Sequence, residues 1–136
     1  MTLKIPTAAQ GSLLKDMLGV TVPANLTLKL FTNNITPSAS DVVATYTEFT
    51  AIMGYVAKTL TKTSFTEADV SGTATAAYAA QTWTFTAGGP VTVYGYYVVG
   101  ADALLRWAEL FATPLTVTNA GDAITVTPQL TFVSAF

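Results

Sequence analysis

Threonine alternates with large apolar residues along much of this chain, and a β-sheet is the regular structure that separates two such sets cleanly. Thr82-Trp83-Thr84-Phe85-Thr86 alternates strictly, and Leu26-Thr27-Leu28-Lys29-Leu30 and Ile124-Thr125-Val126-Thr127 do the same. In an extended chain successive side chains point to opposite faces, so Trp83 and Phe85 share one face and the threonines the other. Wound into a helix, the same residues would be scattered around the axis. Threonine, valine and the aromatics also suit a pleated, half-buried surface.

Further strands follow on the same reasoning. Residues 26–31, 55–60, 82–86, 91–99, 115–118, 124–127 and 130–132 read as strands separated by turn chemistry. Gly88-Gly89-Pro90 reads as the turn of a hairpin joining 82–86 to 91–99, and Asn119-Ala120-Gly121-Asp122 as the turn joining 115–118 to 124–127. Thr36 to Asp41 is a polar turn that opens a single helical turn near Val42. Glu67 to Gly72 is turn-like. Val91 to Val99 is apolar on both faces, which predicts a strand covered from both sides by a helix, by loops or by a neighbouring subunit. Residues 104–111 admit a helix, with Arg106 and Glu109 three apart, but a strand fits better between Gly100-Ala101-Asp102 and Thr113-Pro114. Pro128 cannot donate to a ladder, so its strand is an edge or bulges there.

One segment reads as a helix. Leu13 stacks over Met17 and Leu14 over Leu18 at helical spacing, with Lys15 and Asp16 pointing away, so these four apolar residues are expected to pack on the sheet. Gly19 is placed to cap it and Pro23 forbids its continuation. The expected architecture is an all-β, jelly-roll-like antiparallel sandwich of about eight strands with one short N-terminal helix. Its 136 residues make one domain, with residues 1–24 as arm and helix and 25–136 as β core.

Only 10% of the residues are Asp, Glu, Lys or Arg, 51% are hydrophobic, and the mean hydropathy is +0.47. Typical soluble domains carry about 25% charged residues. An apolar surface of this kind is stable in solution when it lies against partners, which points to a subunit of a larger assembly. The six basic residues, Lys4, Lys15, Lys29, Lys58, Lys62 and Arg106, are scattered and the net charge is −2, so no nucleic-acid partner is expected. The apolar stretch from Val91 to Ala112 is broken by Asp102, Arg106 and Glu109, so no membrane span is expected, and the N-terminus lacks the apolar core of an export signal.

The chain contains no histidine and no cysteine. That removes the commonest general base, the Ser-His and Cys-His nucleophile systems, and imidazole or thiolate metal sites. The carboxylates that remain fall at turns or on the helix surface, where solvation explains them. Glu67, Asp69 and Ser71 could offer oxygens to a calcium ion, but an EF-hand spacing is absent and a solvated turn is the simpler reading. No catalytic residue, cofactor or metal site is expected, and the chain is read as no enzyme.

Several stretches resemble a family of small structural proteins of tailed-bacteriophage virions that includes capsid decoration, or cement, proteins. They are Leu28 to Pro37, Tyr46-Thr47-Glu48-Phe49 with Gly54-Tyr55, Gly89 to Tyr96, and Trp107-Ala108-Glu109. The resemblance implies a jelly-roll-like protein that oligomerises, often as a trimer, on the head surface and clamps neighbouring copies of the major capsid protein. Aromatic residues are favoured at interface centres, so Tyr94, Tyr96 and Trp107 are candidates for the oligomer or capsid contact. Residues 1–10 are a candidate arm reaching a neighbour. The alternative is a tail or fibre component binding a host glycan, with Trp83 or Tyr97 as stacking platforms; a carbohydrate-binding module outside viruses is a weaker third reading.

Overall fold

The computed structural model describes residues 2–20, 22–50 and 53–133. Among the described residues ten strands and one α-helix follow one another as β1 (Thr2–Lys4), α1 (Thr7–Met17), β2 (Leu26–Phe31), β3 (Lys58–Leu60), β4 (Thr66–Val70), β5 (Thr73–Ala77), β6 (Gln81–Thr84), β7 (Val91–Val99), β8 (Leu105–Val117), β9 (Ala123–Val126) and β10 (Gln129–Val133). All pairings are antiparallel. One sheet has the order β1-β8-β7-β2-β3, a second β10-β5-β4, and a third pairs β6 with β9.

The pairings β5 with β10, β6 with β9 and β7 with β8 are nested, as in one long hairpin rolled onto itself. This is the wrapping from which a jelly roll is built. It corrects the two local hairpins read from the sequence. Residues 82–84 do not pair with 91–99, nor 115–117 with 124–126; in both places the chain crosses from one sheet to the other. At the first crossing, a Cβ on Gly88 would lie 2.2 Å from the Thr118 carbonyl oxygen, so the two crossings meet where only glycine fits.

The main core lies between the five-stranded sheet and the two smaller ones. Leu28, Leu30, Tyr96, Val98 and Trp107 come from the large sheet and meet Trp83, Phe85, Ile124 and Val126 from the opposite layer. The other face of the large sheet is also covered. Phe31, Tyr97, Val99, Leu105 and Ala108 form a second cluster with Tyr46, whose ring stacks on Tyr97 at 5.2 Å between centroids. The two-faced apolar character of β7 is thus met inside the chain, by the segment that follows β2.

Residues 105–111 are strand, as expected, but Thr113-Pro114 is no turn. β8 runs on through Val117, and Phe111 to Pro114 lie where its register with β7 slips between Gly95-Leu110 and Val93-Leu115. Pro114 has no N–H to lose there. Three other expectations are revised. The strand read at 55–60 is only Lys58–Leu60. Glu67 to Val70 belong to β4, and the turn is only Ser71-Gly72, both at positive φ (51° and 79°), which is the two-residue hairpin geometry. The arm, apart from Met1, which is outside the described residues, folds back on its own chain: Thr2, Leu3 and Lys4 pair with Leu110, Glu109 and Ala108 of β8.

Of the four apolar residues expected to pack, only Leu13 is on the docked side of the helix. Ala9 is fully buried, Ser12, Leu13 and Asp16 are half-buried, and Leu14, Met17 and Leu18 face solvent. At 100° per residue Ala9, Ser12, Leu13 and Asp16 share one side of the helix and Leu14, Met17 and Leu18 the other.

Candidate interaction surfaces

Of the three aromatics expected at an interface, Tyr96 and Trp107 are in the main core, 2% and 3% exposed, and Tyr94 is half-buried against the second cluster. Tyr96 and Trp107 are therefore not free on the folded subunit to meet a partner. Trp83 and Tyr97, the platforms of the glycan reading, are 3% and 1% exposed. The Trp83 indole N–H donates to the Val56 carbonyl at 2.8 Å, which fixes it inward.

Two buried carboxylates, Glu109 and Asp41, and the part-exposed Glu48 are where chemistry would be sought. Each has a structural partner instead. The Tyr96 hydroxyl donates to the Glu109 carboxylate, and both side chains are buried. Asp41 accepts from the Ser38 backbone N–H at 2.8 Å and from the Tyr46 hydroxyl at 2.6 Å, closing the loop after β2. Glu48 takes the Lys29 ammonium at 2.8 Å and the Tyr55 hydroxyl at 3.3 Å, while that hydroxyl accepts from the Leu30 N–H. Burial is the main reason the hydroxyls of Tyr46, Tyr55, Tyr96 and Tyr97 are pushed above the ordinary phenol value, and a nearby carboxylate adds to it in each case. All three sets tie loop to sheet or strand to strand. Among the described residues no three His, Cys, Asp or Glu side chains are grouped to hold a metal ion. Glu67 and Asp69 lie on β4 with their partners Ala76 and Ala74, apart from a chelating loop.

A fourth cluster anchors the helix. Asp102, in the turn between β7 and β8, accepts from Ser12 Oγ at 2.9 Å, from Arg106 Nη2 at 2.9 Å and from the Leu104 N–H at 3.2 Å. Desolvation opposes its ionisation, but these donors outweigh it and hold the carboxyl below the ordinary carboxylate range. Arg106 is buried and its guanidinium lies over Gly100, where a Cβ would come within 2.6 Å of Nη2.

With its polar side held in this way, α1 presents an apolar ridge outward. Leu14 is 57% exposed, Met17 81% and Leu18 77%, and Val20 and Val22 beyond the helix end are exposed too. Gly11 lies on the same side, with nothing within 4 Å of where a Cβ would stand. Each large aliphatic side chain left in water forgoes roughly 1.5–3 kcal/mol of burial. Contiguous patches of this kind on soluble proteins mark interaction sites.

The β10-β5-β4 sheet carries a second uncovered surface. The registers Glu67-Ala76-Leu130 and Asp69-Ala74-Phe132 place these six side chains on one face. They line an open trough of about 550 Å³ with alanines as its floor. Leu130 packs against the main core, while Phe132, two residues on, is 54% exposed. The trough is the outward continuation of the core-facing side of that sheet, beyond the layer that covers it. Sequence reading missed both surfaces: the helix because its leucines looked like core, the trough because β5 alternates threonine only with small alanines and β4 was read as a turn. No helix among the described residues is long and apolar enough to cross a membrane. No protein-family model, curated protein or solved structure matches the chain.

Proposed function

We propose that this chain is a structural subunit of a tailed-bacteriophage virion, a capsid decoration protein that oligomerises on the head and stabilises it by bridging copies of the major capsid protein. The observation that carries the reading is the exposed apolar ridge of Leu14, Met17, Leu18, Val20 and Val22 on a chain with so few charges. A surface of this kind is unfavourable in an isolated soluble protein and is used when covered in an assembly. The polar groups most enclosed by the fold, at Glu109, Asp41 and Arg106, are engaged in holding it together. A jelly-roll-like sandwich and the resemblance in the sequence agree with this role. The glycan-binding alternative loses its two named platforms, since Trp83 and Tyr97 are core residues.

Mechanistically, a subunit that binds the assembled shell and not its separated parts stabilises the shell by mass action. No chemistry is needed, and we read the chain as no enzyme, without cofactor or nucleic-acid partner. The reading is tested by adding the purified protein to expanded heads prepared without it. Saturable binding with a rise in the temperature at which the heads break open is the expected result. Absence of binding to heads, together with binding to tails or to host polysaccharide, would replace it with the fibre reading.

A further inference from the structure

The two uncovered surfaces are complementary to each other. The ridge on α1 is apolar along Leu14, Met17 and Leu18 and is flanked by Lys15, which is exposed one residue beyond Leu14. The trough is apolar along Leu130 and Phe132 and is bordered on its far side, on the edge strand β4, by Glu67 and Asp69. An 11-residue helix is about 16 Å long at 1.5 Å per residue. Strands of five residues run about 17 Å. A helix lying along the trough therefore matches it in length, with apolar side chains over the alanine floor and a cation beside two carboxylates. Gly11 lets the start of the helix approach a facing surface closely, since it adds no side chain to the ridge.

We infer that α1 of one copy docks in the β10-β5-β4 trough of a second copy of this chain. The contact joins two different surfaces, so it is heterologous: each copy gives its helix to one neighbour and its trough to another. Repeated, such a contact closes into a ring when the rotation allows and otherwise extends as a chain. The inference adds to the proposed function the surfaces through which copies meet, and it does not depend on which particle they occupy.

Two single substitutions at exposed positions test it, with mass in solution measured by light scattering during gel filtration. Leu18→Glu spoils the ridge and leaves the trough intact; Phe132→Glu spoils the trough and leaves the ridge intact. The unmodified protein is expected as a multimer, and each variant alone as a single chain of 14.2 kDa. Mixing the two variants is then expected to give a species of two chains and no larger, because only one good ridge and one good trough remain per pair. An unmodified protein that runs as a single chain overturns the inference. So does a multimer of Phe132→Glu, which would mean ridge-to-ridge pairing, or a mixture that stays as single chains. Circular dichroism of both variants should match the unmodified protein, since neither side chain is enclosed by its own chain. Whether the protein is found with heads or tails is read on particles and can fail independently of this result.

Discussion

Tyr96 and Glu109 carry more of the fold's specificity than their spacing along the chain suggests. They face each other across β7 and β8, and the tyrosine hydroxyl satisfies a carboxylate that the core has taken out of water. Removing the hydroxyl leaves the acid without that donor, so Tyr96→Phe is expected to destabilise the chain by about 1.5–3 kcal/mol, although it removes one atom. Urea denaturation checks this; a loss below about 0.5 kcal/mol, the size of an ordinary surface substitution, would contradict the role given to the pair. The tyrosines also set the alkaline limit. The folded-state values of Tyr46, Tyr55, Tyr96 and Tyr97 lie above the ordinary 10.0, so the stabilisation they bring is complete below that pH and is lost as pH rises above it. Tyr78, whose hydroxyl accepts the Thr61 N–H, is shifted the other way. Absorbance of tyrosinate should therefore show an early component in the intact fold and a later one coinciding with loss of the far-ultraviolet signal. Titration of Tyr46, Tyr55, Tyr96 and Tyr97 together with Tyr78 while the fold is intact would contradict the burial described.

Among the elements, the two informative glycines behave oppositely. Gly95 lies in β7 where its register with β8 slips, and a Cβ there would stand 2.1 Å from the Glu109 carbonyl oxygen and 2.6 Å from the Phe31 ring. Gly95→Ala should cost about 3 kcal/mol or more, because the obstacle includes backbone and cannot turn aside. Gly11 has open space and sits within a helix, so Gly11→Ala should stabilise by about 0.5–1 kcal/mol. Both are best measured in the Leu18→Glu background, which removes the proposed contact between copies. Equal effects at the two positions would contradict the backbone path of β7.

The same elements mark what a sequence can and cannot disclose. Period-two alternation located β2, β6 and β9, and the stretch around Arg106 was legible as strand from the turn at Gly100-Ala101-Asp102 before it, although the turn read after it at Thr113-Pro114 is part of β8. Pairing was not legible. The turns at Gly88-Gly89-Pro90 and Asn119 to Asp122 look like hairpin turns, yet they carry the chain between layers, and local turn chemistry does not distinguish the two. The helix was found, but its buried side was read wrongly: Ala9, Ser12 and Asp16 dock it, and Leu14, Met17 and Leu18 do not. Ser71-Gly72 between β4 and β5, a two-residue hairpin turn, and the Thr73-Ala74-Thr75-Ala76 alternation after it were the available signs of that sheet. Tyr96 and Trp107, chosen as interface candidates, lie in the main core; the reason is related, since aromatic character marks cores and interfaces alike.

For the whole molecule, the large sheet is covered on both faces by its own chain. Among the described residues five exposed large apolar side chains, Leu14, Met17, Leu18, Val20 and Val22, fall on α1 and just beyond it. Phe132 is in the trough, and Val42, Val56, Val70 and Leu115 are exposed outside both surfaces. That distribution suits the proposed assembly role: a core completed by the chain itself, with an apolar ridge left for a neighbour to cover. The proposal's central claim is the head-surface role, and the most direct measurement is protein quantification on purified tailed-phage virions whose genome carries this sequence, separated into heads and tails. The account predicts this protein with the heads, at a fixed high ratio to the major capsid protein. Recovery with the tails, or absence from both fractions, would contradict it.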